Sequence, residues 1–430
     1  MNIPGSAVLA SGTHKNELML FFTLLELTLI VLAGRLGGVL ARRCGQSAVV
    51  GEIIVGICLG PSLFGLLAPH AFDYVFHSAP AEPLTILSNL GLVLLMFQVG
   101  MEFDFSHLTE RANRAAVLRV STACLALPFL CGLAVGFFIA RSSPPTARVD
   151  TALFVATAFS ITALPVLGRI MVELNLTRVR LGVIDISAAA ANDVVGWLLL
   201  TLVTALTVSD FVPGTFALRI VMVSAFGLVC TKVVRPLLKR AIAKSGPRDG
   251  KMSANLLGGL LAVIFIAAMT TYQIGIFAIF GGFMIGVILY DEAELVAAWR
   301  GRIGDFVTVF FLPIFFTYTG LRTSVRGLDT WADCGLCLAI VATASMAKLC
   351  GGYFAARRSA LGHPESAGIA FMMNTRGLME LIVVNVGLDL GVISPKVFTM
   401  LVIMAIFSTV ITTPALRHYL PRMDPATFQA

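Results

Sequence analysis

The stretch FVATAFSITALPVLGRIM, residues 154–171, decides how this chain folds. It is apolar enough to cross a membrane as a helix, but Ser160, Thr162 and Pro165 lie together at its centre. Proline removes a backbone hydrogen-bond donor, so the pattern predicts a helix that is interrupted at mid-membrane depth. Such a break is tolerated only where the backbone lines a cavity or is buried in protein, so we expect this segment inside a helical bundle.

The stretch GIAFMMNTRGLMELIVV, residues 368–384, carries a similar interruption, with Asn374, Thr375, Arg376 and Gly377 at mid-depth. The two breaks fall in the fifth and twelfth predicted spans. This odd offset of seven spans gives the two halves of the chain opposite topology around a connecting seventh span. Paired interrupted helices in inverted halves are typical of a transporter's binding site, and two unrelated kinks are the alternative interpretation.

The composition indicates a polytopic membrane protein without a sizeable soluble domain. Of the 430 residues, 57% are hydrophobic and only 13% are charged, whereas a soluble domain has about 25% charged residues. Apolar runs of roughly 20 residues recur along the whole chain, and each is long enough to cross a bilayer as a helix. We predict an all-α fold of about thirteen spans: 18–41, 47–67, 84–103, 115–140, 150–172, 179–208, 213–241, 252–271, 274–290, 304–321, 330–357, 364–389 and 394–415.

The placement of the basic residues predicts the orientation of the chain. Most of the 31 Lys and Arg residues lie in segments that are cytoplasmic if the N-terminus is outside, including the run 232–251 and Arg357 with Arg358. Cytoplasmic loops carry such an excess of positive charge. We therefore expect the N-terminus outside and the C-terminus in the cytoplasm, and we do not expect the positive net charge to serve nucleic-acid binding.

The sixth span contains AANDVVGW, residues 190–197, which places Asn192 and Asp193 in the middle of the membrane. Carboxylates at that depth are rare and usually face a cavity or a partner. Asp193 can bind a monovalent cation or a proton, but not both comfortably, and this competition is what exchange by alternating access requires. The alternative for Asp193 is an internal ion pair, and for Asn192 it is a hydrogen bond between packed helices.

Lys348 is the intramembrane cation of the eleventh span. A buried ammonium needs a carboxylate partner or must lose its proton, and Asp193 is the natural partner. Cation entry would then break the pair and couple cation binding to proton release. The alternative is that Lys348 extends along the membrane toward Arg357 and Arg358 at the inner surface.

Four further polar residues in the spans receive lesser roles. Arg376 and Glu380 are four residues apart on one helix face, so we expect a structural ion pair that supports the second break, with a gating role as the alternative. Gln98 either lines the cation path or packs between helices. Asp185 lies eight residues before Asp193, about 12 Å along the helix axis, and is expected to be peripheral.

Six segments in this order resemble the monovalent cation:proton antiporter-2 family, which includes sodium/proton, Kef-type potassium and plant cation/proton exchanger members. They are VGEIIVGICLGPSLFG (50–65), LMFQVGMEFD (95–104), FSITALPVLGRIMVEL (159–174), ANDVVGW (191–197), FFLPIFFTYTGLRT (310–323) and MNTRGLMELIVVNVG (373–387). The resemblance covers nearly the whole chain.

The resemblance implies a sodium/proton antiporter-like fold with two crossed, unwound helices. It implies dimerisation or scaffold helices in 1–103, core helices in 104–208 and 322–415, a linker helix and scaffold helices in 209–321, and a short cytoplasmic tail in 416–430. The protein would be a homodimer in a bacterial inner membrane that exchanges Na⁺ or K⁺ for protons by an elevator-like movement. No cofactor, catalytic set or nucleotide-binding domain is expected in this chain.

The resemblance also assigns residues to the ion site. Asp193 takes the role of the essential carboxylate and Lys348 that of the core lysine. Thr162 lies at the unwound position beside the cation. Ser160 and Asn192 are the neighbouring candidates for cation and proton binding, whereas Asn374 is expected to be structural or gating, like Arg376 and Glu380.

Two features of the site disagree about stoichiometry. Electrogenic bacterial members of the family carry two adjacent aspartates, where this chain has Asn192 and Asp193. Electroneutral members carry the Asn–Asp pair but usually an arginine at the position of Lys348. Stoichiometry therefore stays open at this point. A sodium-coupled symporter of a small organic anion is the alternative function.

Overall fold

The chain is described by a computed structural model that covers residues 5–78, 80–102, 111–141, 144–174, 176, 179–208, 213–245, 252–275 and 277–423. These residues form helices and no strands. The helices are α1 (Gly5–Arg43), α2 (Ala48–Cys58), α3 (Phe64–Leu67), α4 (Pro69–Phe76), α5 (Glu82–Glu102), α6 (Arg111–Ile139), α7 (Pro145–Ser160), α8 (Leu164–Glu173), α9 (Arg180–Val208), α10 (Pro213–Val229), α11 (Arg235–Ser245), α12 (Ala254–Ile274), α13 (Ala278–Val287), α14 (Ala293–Trp299), α15 (Leu312–Leu321), α16 (Trp331–Arg357), α17 (His363–Met373), α18 (Leu378–Asp389) and α19 (Pro395–Tyr419). Turns of π-helix continue α10 into α11 and occupy 300–304 and 307–311 before α15.

The predicted multi-pass membrane architecture is confirmed. Within the described ranges, nine helices are long and apolar enough to cross a membrane, and a bent pair, Ala293–Gly304 with Val307–Leu321, would make ten. Every predicted span has a helical counterpart, but α2 and α13 have only 11 and 10 residues. The predicted second span ends early because Gly60 and Pro61 follow α2 and cannot easily continue it. The number thirteen therefore stays a prediction.

The helices pack into two groups, which we call the core bundle and the scaffold bundle. The core bundle consists of α6–α9 and α16–α19, and the scaffold bundle of α1, α2, α5, α12, α13 and α15. In the core bundle α6 approaches α7 closely because Gly132 and Gly136 have no side chains. A Cβ on Gly132 would lie 2.6 Å from the Cα of Ala156. The transport and dimerisation roles of the two bundles stay predictions, and residues 424–430 of the predicted tail lie outside the described ranges.

Both predicted interruptions are present in the core bundle. Helix α7 ends at Ser160, the backbone is extended at Ile161, and α8 begins at Leu164. In the second interruption α17 ends at Met373 and α18 begins at Leu378. Gly377 closes it with φ 144°, a backbone conformation that favours glycine.

The two unwound segments cross and hydrogen-bond to each other. The amide of Ala163 donates to the carbonyl of Thr375 at 3.0 Å, and the hydroxyl of Thr162 donates to the carbonyl of Met373 at 3.3 Å. These bonds satisfy backbone groups that the interrupted helices leave free. The crossing therefore brings residues that are more than 200 positions apart into one buried site.

Candidate ion-binding site

Asp193 lies on α9 beside the crossing and is 1% exposed. Its Oδ1 atom has no hydrogen-bond donor among the described residues, whereas the carboxyl group faces the backbone amide of Leu164. Leu164 is the first residue of α8, and the N-terminus of a helix carries partial positive charge. The site thus supports a negative charge on Asp193 and leaves one oxygen available for a cation or a proton.

Asn192 is also fully buried, and its position is fixed by a neighbouring helix. Its Oδ1 atom accepts a hydrogen bond of 2.7 Å from the hydroxyl of Ser121 on α6. Its Nδ2 atom has no acceptor within the described part of the chain. The predicted alternative, a hydrogen bond between packed helices, is therefore present. Sequence reasoning missed Ser121, although a hydroxyl group within an apolar span was a signal for it.

Lys348 is fully buried on α16, but it does not form the predicted ion pair with Asp193. Its ammonium instead donates hydrogen bonds to the backbone carbonyls of Ser160 and Ile161, the latter at 3.1 Å. The physical reason is that the last carbonyls of α7 have no helical partners and carry the negative end of the helix dipole. The alternative, extension toward the inner surface, is also wrong, because the side chain points into the crossing.

Arg376 and Glu380 form the predicted ion pair, with Nη1 and Oε2 3.3 Å apart and both side chains buried. Arg376 also makes hydrogen bonds that its spacing from Glu380 did not predict. Its guanidinium donates to the carbonyl of Ala158 at 2.8 Å and to that of Phe159 at 2.9 Å. Arg376 and Lys348 together satisfy four successive carbonyls at the end of α7 and hold two positive charges there.

The remaining candidates differ in whether their buried polar atoms have hydrogen-bond partners. The hydroxyl of Ser160 donates a hydrogen bond to the carbonyl of Thr157 at 2.9 Å, and the hydroxyl of Thr162 donates one to the carbonyl of Met373 in the other unwound segment. By contrast, the amide atoms of Asn374 and the hydroxyl of Thr375 are buried and have no hydrogen-bond partner in the described ranges. Buried polar atoms are rarely left unpaired, so each of them needs an explanation.

Comparisons with known proteins identify the family of this chain. Residues 27–421 match the family model described as "Sodium/hydrogen exchanger, transmembrane". The chain belongs to the sodium/hydrogen exchanger family. It is 39% identical to the Na⁺/H⁺ antiporter NhaS4 of Synechocystis sp. over 92% of this chain and 96% of that protein.

Two relatives with lower identity are about twice as long as this chain. Cation/H⁺ antiporter 17 of Arabidopsis thaliana is 35% identical over 94% of this chain and 49% of its own length. K⁺/H⁺ antiporter 1 of Saccharomyces cerevisiae is 31% identical over 86% of this chain and 43% of its own length. Among solved structures, the sodium proton antiporter MjNhaP1 from Methanocaldococcus jannaschii at pH 8 is similar with a TM-score of 0.63 and 14% identity, over 92% of this chain and 96% of that one. This likeness confirms the antiporter-like fold.

In this exchanger chain α19 contributes a residue that sequence reasoning missed. The hydroxyl of Thr409 donates a hydrogen bond to the carbonyl of Arg376 at 2.6 Å and accepts one from the backbone amide of Arg376 at 3.1 Å. Thr409 therefore holds the backbone of the second break in place from α19. The signal was the run of hydroxyl residues in the last span, Ser408, Thr409, Thr412 and Thr413.

Gln98 lies on α5 of the scaffold bundle and is half-buried. A Cβ on Gly304 would lie 3.4 Å from its Oε1 atom, so Gln98 packs against the π-helical turn that precedes α15. This position agrees with the packing interpretation, and its place on a cation path stays a prediction.

Proposed function

We propose that the chain exchanges a monovalent cation, Na⁺ or K⁺, for protons across the membrane. Asp193 binds the cation and the proton in competition, and alternating access carries either one across. The observation that carries this proposal is the Oδ1 atom of Asp193, which is buried beside two unwound segments and has no donor among the described residues. The relatives described above support it, because their names include both Na⁺/H⁺ and K⁺/H⁺ antiporters.

Competition at Asp193 follows from the cost of burying charge. An ionised carboxylate in a medium of low dielectric constant needs a compensating positive charge or hydrogen bonds. A proton on Asp193 removes the charge, and a bound cation neutralises it. The hydroxyl of Thr162 and the oxygens of Asn374 and Thr375, on the two unwound segments, are further candidate ligands for a hard cation, which prefers oxygen.

The role of Lys348 in the transport cycle depends on whether Asp193 holds a proton or a cation or is ionised and empty. While Asp193 holds a proton or a cation, the ammonium stays on the carbonyls of Ser160 and Ile161. When Asp193 is ionised and empty, Lys348 is the buried positive charge available to compensate it. The arrangement described here fits the first condition, with a proton on Asp193.

The wider features of the proposal concern the assembly and the membrane. The core bundle carries the ion by an elevator-like movement against the scaffold bundle, and the protein works as a homodimer. It lies in a bacterial inner membrane with the N-terminus outside and the C-terminus in the cytoplasm. The packing into two groups of helices supports the movement, and the distribution of Lys and Arg residues supports the orientation.

Proton flux in proteoliposomes tests the exchange directly. With an imposed pH gradient, addition of Li⁺, Na⁺, K⁺ or Rb⁺ in turn should dissipate the gradient for at least one ion. Liposomes without protein provide the control. If no monovalent cation dissipates the gradient and an organic anion accumulates with Na⁺, the chain is a symporter and the exchange proposal is wrong.

A further inference from the structure

A second carboxyl group lies deep in the core bundle, on the same helix as Asp193. Asp185 on α9 has no exposed surface, and neither of its oxygens accepts a hydrogen bond from a described residue. We expected it to be peripheral, near the inner surface, but the structure buries it completely. Few buried polar groups in proteins are left without any partner.

Asp185 faces different neighbours from Asp193. Eight residues of α-helix advance the chain by about 12 Å and turn it by about 80° beyond two full turns. On that side Cys124 of α6 lies within electrostatic range of Asp185 and also of Lys348. The Sγ atom of Cys124 is 4.0 Å from the carbonyl of Lys348. Asp185 therefore lies in the interior of the core bundle, near the interface of α9 with α6.

Among the described residues, no charged side chain pairs with Asp185. Helices α6, α7, α8 and α17 pack against α9. None of the ionisable side chains that the structure describes on these helices makes a hydrogen bond or ion pair with Asp185. The ionisable residues described on these helices are Arg114, Arg119, Cys124 and Cys131 on α6, Arg148 and Asp150 on α7, and His363 and Glu365 on α17. Of these, Cys124 lies within electrostatic range of Asp185.

An ionised Asp185 would be uncompensated in this conformation, so the group holds a proton here. If Asp185 stayed neutral throughout the cycle and made no hydrogen bond, an apolar side chain in its place would stabilise the fold better. A carboxyl group that is neutral in one conformation and hydrated in the other binds and releases a proton during the cycle. We propose that Asp185 is such a second proton-binding site, separate from Asp193, and that it carries one proton per transport cycle.

This inference rests on the proposed exchange, and the ratio of protons to cations tests it. In proteoliposomes, opposing pH and Na⁺ or K⁺ gradients are varied until net flux is zero, which gives the number of protons exchanged per cation. Asp185→Asn keeps the shape of the side chain and removes the proton site. We expect the ratio to fall by one proton per cation. Asp150→Asn, a half-buried carboxyl group in the same bundle, is the matched control and should leave the ratio unchanged.

The outcomes separate the two proposals. If the wild-type chain shows no cation-dependent proton flux, the exchange proposal fails. If the wild-type chain exchanges ions and Asp185→Asn has the same ratio, the second proton site is overturned.

A measurement on the wild-type chain covers the case in which the variant does not fold. Dicyclohexylcarbodiimide modifies protonated carboxyl groups in apolar surroundings, and peptide mapping identifies the modified residue. Modification at Asp185 should decline as the pH rises through the range of transport activity. A level of modification that stays constant with pH would show a permanent proton and contradict the inference.

Discussion

At the scale of single residues, the site depends on one oxygen atom. Asp193 is buried, faces the N-terminus of α8 through the amide of Leu164, and keeps its Oδ1 atom without a described donor. Most buried carboxylates use such oxygens for hydrogen bonds that fix the fold. Here the oxygen is available for a cation or a proton, as the proposed exchange requires.

Asp193→Asn should abolish cation-dependent proton flux in proteoliposomes. The amide has nearly the same shape, but it can neither lose a proton nor neutralise a bound cation. Asp305→Asn, which changes an exposed carboxylate of the scaffold region, is the control and should retain the flux of the wild type. Exchange at the wild-type rate in the Asp193 variant would remove this residue from the mechanism.

Asn192→Asp should add about one charge to each transport cycle. The hydroxyl of Ser121 can still donate to the new carboxylate, so the local geometry is kept. Two adjacent buried carboxylates cannot both be ionised without compensation, and the pair therefore carries a further proton.

Solid-supported membrane electrophysiology measures the charge moved by the Asn192 variant. Asn89→Asp, at an exposed amide, is the control. Unchanged charge translocation in an active Asn192→Asp protein would contradict the expectation.

At the scale of helices, the end of α7 is stabilised by two cations from elsewhere in the chain. Lys348 from α16 and Arg376 from the second break bind the carbonyls of residues 158–161. A helix that ends inside a membrane leaves carbonyls without water, and each unsatisfied group costs several kcal/mol. The cations also compensate the negative end of the α7 helix dipole, which lies at these carbonyls.

Arg376→Lys should destabilise the core bundle although it keeps the charge. Lysine cannot bind the carbonyls of Ala158 and Phe159 with a planar fork, so at least one buried carbonyl loses its donor at a cost of about 1–3 kcal/mol. Thermal unfolding in detergent should show a lower Tm. The control, Lys396→Arg, makes the opposite replacement in an exposed ion pair with Asp333 and should change Tm little.

The sequence predicted the breaks and the Arg376–Glu380 pair, because proline, glycine and i,i+4 spacing act locally. The crossing of the two breaks was implied by the family resemblance. The sequence could not predict the partner of Lys348. Charge alone favours Asp193, but the carbonyls at the end of α7 are backbone groups that no side-chain pattern reports. The burial of Asp185 was missed for a similar reason, since it depends on how α6 and α17 cover one face of α9.

At the scale of the whole molecule, a polar contact joins the two bundles at one end of the cleft between them. Arg322 at the end of α15 forms an ion pair with Asp389 at the end of α18 and donates to Asn385 at 3.1 Å. Below it a cavity of about 850 Å³ lies between the bundles, lined by Thr204, Ile382 and Val386 of the core and by Ser88, Val93 and Phe315 of the scaffold, among others. The proposed elevator-like movement of the core bundle would break the Arg322 contacts.

A disulfide between Arg322→Cys and Asp389→Cys should stop exchange, and a reductant should restore it. The matched control is the pair Asp333→Cys and Lys396→Cys, which replaces an ion pair inside the core bundle. Oxidation of the control should leave proton flux intact. If the oxidised Arg322–Asp389 pair still exchanges ions, the two bundles do not separate at this end.

The predicted orientation places two native cysteines on opposite sides of the membrane. Cys44 follows α1 and Cys334 lies in the first turn of α16, and both are exposed. In right-side-out vesicles, a membrane-impermeant maleimide should label Cys334 and spare Cys44. Inside-out vesicles should give the reverse pattern, and the opposite result in both preparations would reverse the orientation.

The crossing also has a consequence for biogenesis. Residues 158–163 leave the ribosome long before the residues that satisfy them, since Thr375 and Arg376 are encoded more than 200 codons later. Until the twelfth span is inserted, the free carbonyls at the end of α7 lie in a nascent chain without their partners. A truncated product that ends before residue 374 would expose this unpaired backbone and should be a preferred substrate for membrane proteases. The candidate ion site is therefore complete only when nearly all of the chain has been made.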